Sequence, residues 1–206
     1  MKNILPLVLL APFLLLLSMT SQAQNNSGFY IGVQYSNQKI TSSSDVNLDT
    51  AGVTFGYQFH QYFSLETRLN IGTSEYSSVC ACGEENIEHV YKQEIDNQAS
   101  IFIKGLYPIN NDFSVYALAG ITNSSYNLNT KSFRSVVDGD RTITQVKLKD
   151  TETHSDNGFT YGLGINYKIS EKFSIFLDYQ ILPDLVVSTL GSSSWKSANI
   201  GVNYNF

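Results

Sequence analysis

The sequence predicts an all-β fold: eight antiparallel strands, up and down in order, closed into a transmembrane barrel with short periplasmic turns and long extracellular loops. Three observations carry that expectation. Bulky apolar residues alternate with small or polar ones, connections alternate between short and long, and an aromatic ring recurs at one end of each alternating segment. Period-two alternation marks a strand with one oily and one polar face.

The plainest case is Ala198 to Phe206, where Ala198, Ile200, Val202, Tyr204 and Phe206 share one parity and Asn199, Gly201, Asn203 and Asn205 the other. A strand finishing on Tyr204 and Phe206 suits hydrocarbon better than water. At the other end, Lys2 precedes an apolar run from Ile4 to Leu17, interrupted by Pro6 and Pro12. Small residues at Ser21 and Ala23 then mark a cut before Gln24, the layout of a secretory signal. Residues 1–23 are expected to be a cleaved signal peptide, and residues 24–206 one barrel domain.

Composition agrees. Aromatics make up 13% of the chain and charged residues 15%, against roughly 25% charged in ordinary soluble domains. After the leader, no apolar run approaches the ~20 residues of a membrane helix. The mean hydropathy of −0.11 is compatible with a membrane barrel, because alternation averages its hydrophobicity away. A net charge of −5 leaves no basic footprint for nucleic acid.

In order, the alternating segments are Phe29 to Tyr35, Ala51 to Phe59, Phe63 to Thr73, Ile95 to Tyr107, Phe113 to Ile121, Phe159 to Tyr167, Phe173 to Ile181 and the closing stretch. Short links lie at 60–62, 108–112 and 168–172; long ones lie at 36–50, 74–94, 122–158 and 182–196. Short turns on one side and long loops on the other, with an even strand number, are the pattern of an outer-membrane barrel. At the short-turn end every segment offers one ring: Phe29, Phe59, Phe63, Tyr107, Phe113, Tyr167, Phe173 and Phe206. Eight rings at one level form an interfacial girdle. Tyr35, Phe159, Tyr179 and Trp195 are expected to form a looser outer belt.

The content of the polar parity decides which face looks inward. It holds Gly32, Gly52, Gly56, Gly72, Gly120, Gly162, Gly164 and Gly201 among Ser, Thr, Asn and Gln. Small residues fit the cramped lumen of an eight-strand barrel, which side chains just fill. A water-facing surface would carry more Lys and Glu. The oily face therefore looks outward. Inward charges are expected at Glu66, Arg68, Asp96, Lys104, Lys168 and Asp178, three of each sign. Buried charges must be paired, so these should form a compensated network, with Phe102, Tyr116 and Phe176 filling space and Glu66 roughly level with Lys104.

In the loops, Cys80-Ala81-Cys82 sits beside Glu84, Glu85, Glu88 and His89. An oxidising compartment favours a disulfide between Cys80 and Cys82, although a pair two apart is cramped. Inert or intermolecular thiols, or a metal site of Cys80, Cys82 and His89, stand as alternatives. The excess of acid there disfavours polyanions such as heparin. The stretch T-I-T-Q-V-K-L-K-D-T-E-T-H alternates, so strands five and six are expected to run on as a protruding hairpin offering an edge to a partner. His154-Ser155-Asp156 supplies hydrolase residue types, but neighbours on a strand point to opposite faces. No catalytic residues, no resident cofactor and no enzymatic activity are expected.

Three stretches resemble the small OmpA/OmpX-type outer-membrane barrels of Gram-negative bacteria, a porin-like, surface-antigen family. They are IFIKGLYPINNDFSVYALAGI, GFTYGLGINYKISEKFSIFLDYQ and the closing NIGVNYNF. The resemblance implies an integral outer-membrane location amid lipid and lipopolysaccharide. It also implies that Asn199, Gly201, Tyr204 and Phe206 form an assembly signal read by the barrel-assembly machinery. The peptidoglycan-binding domain of longer members is not expected. Its implied role is envelope integrity or surface interaction (adhesion, recognition of a host or matrix ligand) through the loops. A low-conductance pore is the alternative, and a lipid A-modifying enzyme the third.

Overall fold

The computed structural model describes residues 28–41, 45–80, 87–138, 141–187 and 191–206. The expected signal peptide and Cys82 lie outside them. No helix occurs among the described residues. Nine strands do: β1 Gly28–Thr41, β2 Asp45–His60, β3 Phe63–Gly72, β4 Glu75–Cys80, β5 Ile87–Pro108, β6 Phe113–Asp138, β7 Arg141–Lys168, β8 Phe173–Val187 and β9 Gly191–Asn205.

All pairings are antiparallel. The sheet runs β3-β2-β1-β9-β8-β7-β6-β5-β4, and a further pairing of β3 with β5 closes it into a ring. Eight strands make the ring. The ninth, β4, continues β3 past a break at Thr73 and Ser74 and pairs with β5 alone, from Glu75↔Glu94 to Cys80↔His89. Closure joins β1 to β9 from Tyr30↔Asn205 to Thr41↔Ser194.

Local chemistry sets the short turns. Asn110 Oδ1 accepts from the backbone N–H of Asp112 at 2.9 Å and of Phe113 at 2.8 Å, which folds the chain back without a hairpin dipeptide. Ser170 Oγ accepts from Phe173 N–H at 3.2 Å in the next turn. The Lys168 N–H donates to Asp112 O at 2.8 Å, tying neighbouring turns together.

Through the span, the two parities part cleanly. Val33, Ile103, Ile121 and Leu163 are exposed, while Gln34, Phe102, Thr122 and Thr160 are buried. Inward glycines make room for inward rings. A Cβ at Gly56 would collide with the Tyr30 ring, one at Gly164 with Tyr116, and one at Gly201 with Phe176.

The links expected to be long loops are mostly strand. β1 and β2 stay in register up to Thr41↔Asp45, and β6 and β7 up to Asp138↔Arg141. Above the membrane the outward face loses its run of bulky apolar residues, so the oily alternation that marks a spanning strand fades while the hydrogen-bond ladder continues.

In that outer part the ring divides. β7 pairs with β8 only from Tyr161↔Ile181 to Lys168↔Ser174. β2 leaves β3 after Thr50↔Gly72 and keeps two bonds to the β3–β4 break, Thr73 N–H to Asp49 O and Asp49 N–H to Ser74 Oγ. Two sheets result, β4–β7 and β8-β9-β1-β2. Between them lies an apolar core of Ile40, Val46, Leu48, Ile95, Tyr126, Leu182 and Trp195, with Tyr76 packed against it. This corrects the expected outer belt: Trp195 is 1% exposed. It shares its parity with Asn199, and that parity faces inward.

Candidate functional site

The lower lumen is built from inward side chains of six of the eight ring strands. Glu66 and Arg68 are two apart on β3, so both point inward. Arg68 Nε donates to Glu66 Oε1 at 2.8 Å, and its Nη2 donates to Asp178 Oδ2 on β8 at 2.7 Å. From β5, Lys104 Nζ donates to Glu66 Oε2 at 2.9 Å. The register sets Ser64, rather than Glu66, opposite Lys104, so this bond runs diagonally. β3 and β8 stand opposite each other in the ring, so the Arg68–Asp178 pair crosses the full lumen.

Neutral groups fill the remaining lone pairs. The Tyr30 hydroxyl donates to Glu66 Oε2 at 2.6 Å, and that of Tyr116 to Asp178 Oδ2 at 2.8 Å. Asn199 Nδ2 and Gln180 Nε2 donate to Asp178 Oδ1 at 2.6 and 2.8 Å. The Lys104 ammonium sits 4.1 Å from the Tyr116 ring centroid, and the Arg68 guanidinium 5.0 Å from that of Phe176. Two acids and two bases, all buried, thus balance. That completeness is what a buried ion network needs to avoid a net desolvation penalty.

Two expected members are elsewhere. Asp96 is exposed. The β5–β6 register skips it between Ile95 and Asn97, and such a bulge reverses parity, turning Ile95 inward and Asp96 out. Lys168 has the inward parity but is the last residue of β7, at the mouth, where it reaches water. Sequence reasoning missed Tyr30, Gln180 and Asn199 as partners of the acids. Their shared inward parity was the available signal.

Above the charges lies an uncharged polar layer. Gln34 Nε2 donates to Asn70 Oδ1 at 2.6 Å, Gln98 Nε2 to Ser124 Oγ at 2.9 Å, and Thr160 Oγ1 to Thr122 Oγ1 at 2.8 Å. The apolar outer core caps it. Among the described residues, buried side chains thus occupy the lumen in three successive layers: charged, polar and apolar.

The rings named for the girdle stand at the short-turn end. Phe113 pairs with Tyr167 across β6 and β7. Phe59 and Phe63 flank one turn with centroids 6.4 Å apart. Phe29 lies against Tyr57 at 4.6 Å; Phe173 meets Tyr204 at 5.3 Å, and Tyr204 meets Phe206 at 5.1 Å. Tyr107 is exposed beside the next turn. Of the residues named for assembly, Asn199 and Gly201 face the lumen, while Tyr204 and Phe206 join this ring.

Cys80 is disulfide-bonded, and its outer-sheet neighbour His89 bonds Ser132 Oγ at 2.8 Å. Among the described residues, no cluster of three or more His, Cys, Asp or Glu could hold a metal ion. His154 Nε2 lies 3.3 Å from Glu152 Oε2, two residues along its own strand, and Ser155 takes the other face. Above Tyr161, no described strand pairs with the β8-facing edge of β7.

A closed ring with an oily exterior and a filled, charge-balanced lumen defines a small transmembrane β-barrel. The chain belongs to the outer membrane protein beta-barrel domain family, whose model matches residues 9–206. It is therefore an integral outer-membrane protein. It is 24% identical over 206 residues to the virulence membrane protein PagC of Salmonella typhimurium, covering all of both chains. Its fold is similar to that of Ail, the attachment invasion locus protein of Yersinia pestis, with a TM-score of 0.53 at 15% identity over 87% of this chain and 99% of that one. OprG of Pseudomonas aeruginosa also has a TM-score of 0.53, at 12% identity over 90% and 99%.

Proposed function

We propose that the chain is a non-enzymatic surface-interaction protein of the outer membrane, acting through the part of the barrel that stands above the bilayer. One observation carries this reading: among the described residues, no strand pairs with the β8-facing edge of β7 from Arg141 to Thr160. An open edge is a template for an added strand, and proteins usually blunt such edges when they have no use for them. The lumen supports no competing activity, since its charges are consumed by one another and its outer end is apolar. The leader (residues 1–23) fits export with cleavage, and the Tyr204–Phe206 ring pair fits recognition during assembly.

The relatives support a surface role without naming a ligand. Ail has been crystallised with a heparin analogue, sucrose octasulfate. That ligand is not carried over to the lower part of the β7 edge, where residues 150–160 hold three acids and no Lys or Arg. Shortening the β6–β7 hairpin to the level of Asn127↔Thr153 should abolish attachment of bacteria to host cells or matrix while leaving the barrel folded. Undiminished attachment would refute the reading. The alternative, a low-conductance pore, predicts steady current in planar bilayers, and we expect none.

A further inference from the structure

Resting on that reading, we propose that the strand which docks on β7 is cationic: an extended Lys- or Arg-bearing peptide segment, seated along residues 150–158. The seam where it would lie opens for a local reason. Gly158 of β7 faces Pro183 of β8 so closely that a Cβ on the glycine would collide with the proline ring. Pro183 has no N–H to give a ladder, and the β8–β9 register shifts between Leu182 and Leu185. Beyond this contact β8 turns away, and among the described residues no strand pairs with the β7 edge above Gly158.

That bare edge is acidic over a defined length. Residues 150–158 read D-T-E-T-H-S-D-N-G. Asp150, Glu152, His154 and Asp156 share one parity and so one face, with Asp150 and Glu152 exposed. Their cross-strand partners on β6 are Thr130, Leu128, Tyr126 and Ser124, none of them charged. Glu152 Oε2 lies 3.3 Å from His154 Nε2 on the same face. The stretch above, R-T-I-T-Q-V-K-L-K, is basic, which confines the acidic bank to the lower half of the edge.

Same-face side chains on a strand recur about every 6.6–6.8 Å. An added strand with Lys or Arg at alternate positions therefore sets each cation beside a carboxylate, as cross-strand pairs require. Main-chain bonds would supply the affinity common to any sequence, and the carboxylates would select the charge.

The test uses the full mature chain folded into zwitterionic lipid nanodiscs, with three peptide probes. One alternates Lys and Thr, one alternates Glu and Thr, and the third is the Lys/Thr peptide N-methylated along its backbone. Backbone amide exchange over 150–158 is read together with binding by titration. The Lys/Thr probe should bind at least about tenfold more tightly than the Glu/Thr probe, should protect those amides, and should weaken with salt. The triple substitution Asp150→Asn, Glu152→Gln, Asp156→Asn should erase the preference, with the fold checked by protection of the spanning amides. Equal binding of the Lys and Glu probes to the parent chain would overturn the charge inference and leave the edge reading standing. Undiminished binding of the N-methylated probe, or no binding by any probe, would overturn strand addition and this proposal with it.

Discussion

Arg68 is the residue whose removal should tell most. It neutralises Glu66 and Asp178 at once, with 2% side-chain exposure. Arg68→Met would leave Asp178 without its cation inside the lumen, so a loss of about 3–5 kcal/mol is expected, read by urea unfolding in lipid vesicles. Asp96 was expected to belong to the same network, yet it sits outside it on a bulge. Asp96→Ala should therefore stay within about 0.5 kcal/mol of the parent in the same measurement. Gly164→Leu would drive a side chain into the Tyr116 ring and the Asp178 stem, an overpacking of about 1–3 kcal/mol or more.

At the scale of elements, the outer core should behave separately from the span. Trp195→Ala removes its largest buried side chain, a cost of about 3–5 kcal/mol. Amide protection should fall at the outer ends of β1, β2, β8 and β9 while spanning amides hold. Equal loss in both regions would refute that separation. The β1–β2 tip adds a pH-dependent contact. Lys39 Nζ lies 2.6 Å from Asp45 Oδ2, and the Thr41 hydroxyl donates to Oδ1 at 3.0 Å. The Lys39 hydrogen bond, then that of Thr41, holds the Asp45 carboxyl below its ordinary value of 3.8. A lowered folded value means the contact contributes above the ordinary pKa and is lost as pH falls through the lowered one. Lys39→Met should raise the Asp45 midpoint in an NMR titration. Spanning strands were legible in the sequence because hydrocarbon on one side and a narrow lumen on the other force strict alternation, as in Phe113 to Ile121. The strand ends above the membrane were not, because their outward face carries Ser, Thr and Asn and their apolar residues turn to the inward face, against the parity of the span. The Asp96 bulge leaves no mark in composition. Trp195 was legible by parity with Asn199, and its ring chemistry misled.

For the whole molecule, the solvent around the oily face is the decisive term. Leu163, 69% exposed in the spanning part of β7, should face hydrocarbon, so Leu163→Arg is expected to cost about 2–4 kcal/mol in folding titrations with lipid vesicles. A null effect there would contradict the bilayer placement. The lumen was legible as a filled and charge-bearing interior. Its partner list was not, since register decides which of several inward acids and bases meet.

The Arg68–Asp178 pair joins β3 to β8 across the ring, and Tyr116 and Asn199 anchor its far end from neighbouring strands. A hollow cylinder of eight staves can be squashed toward an ellipse by bending at its seams. A rigid strut along one diameter resists compression along that line and, by its tight bonds, stretching too. Without it the bilayer's sideways squeeze would meet only shorter, uncharged ties such as Gln34 to Asn70 and Gln38 to Gln98, so the stiffness of this cylinder along that diameter leans on one guanidinium.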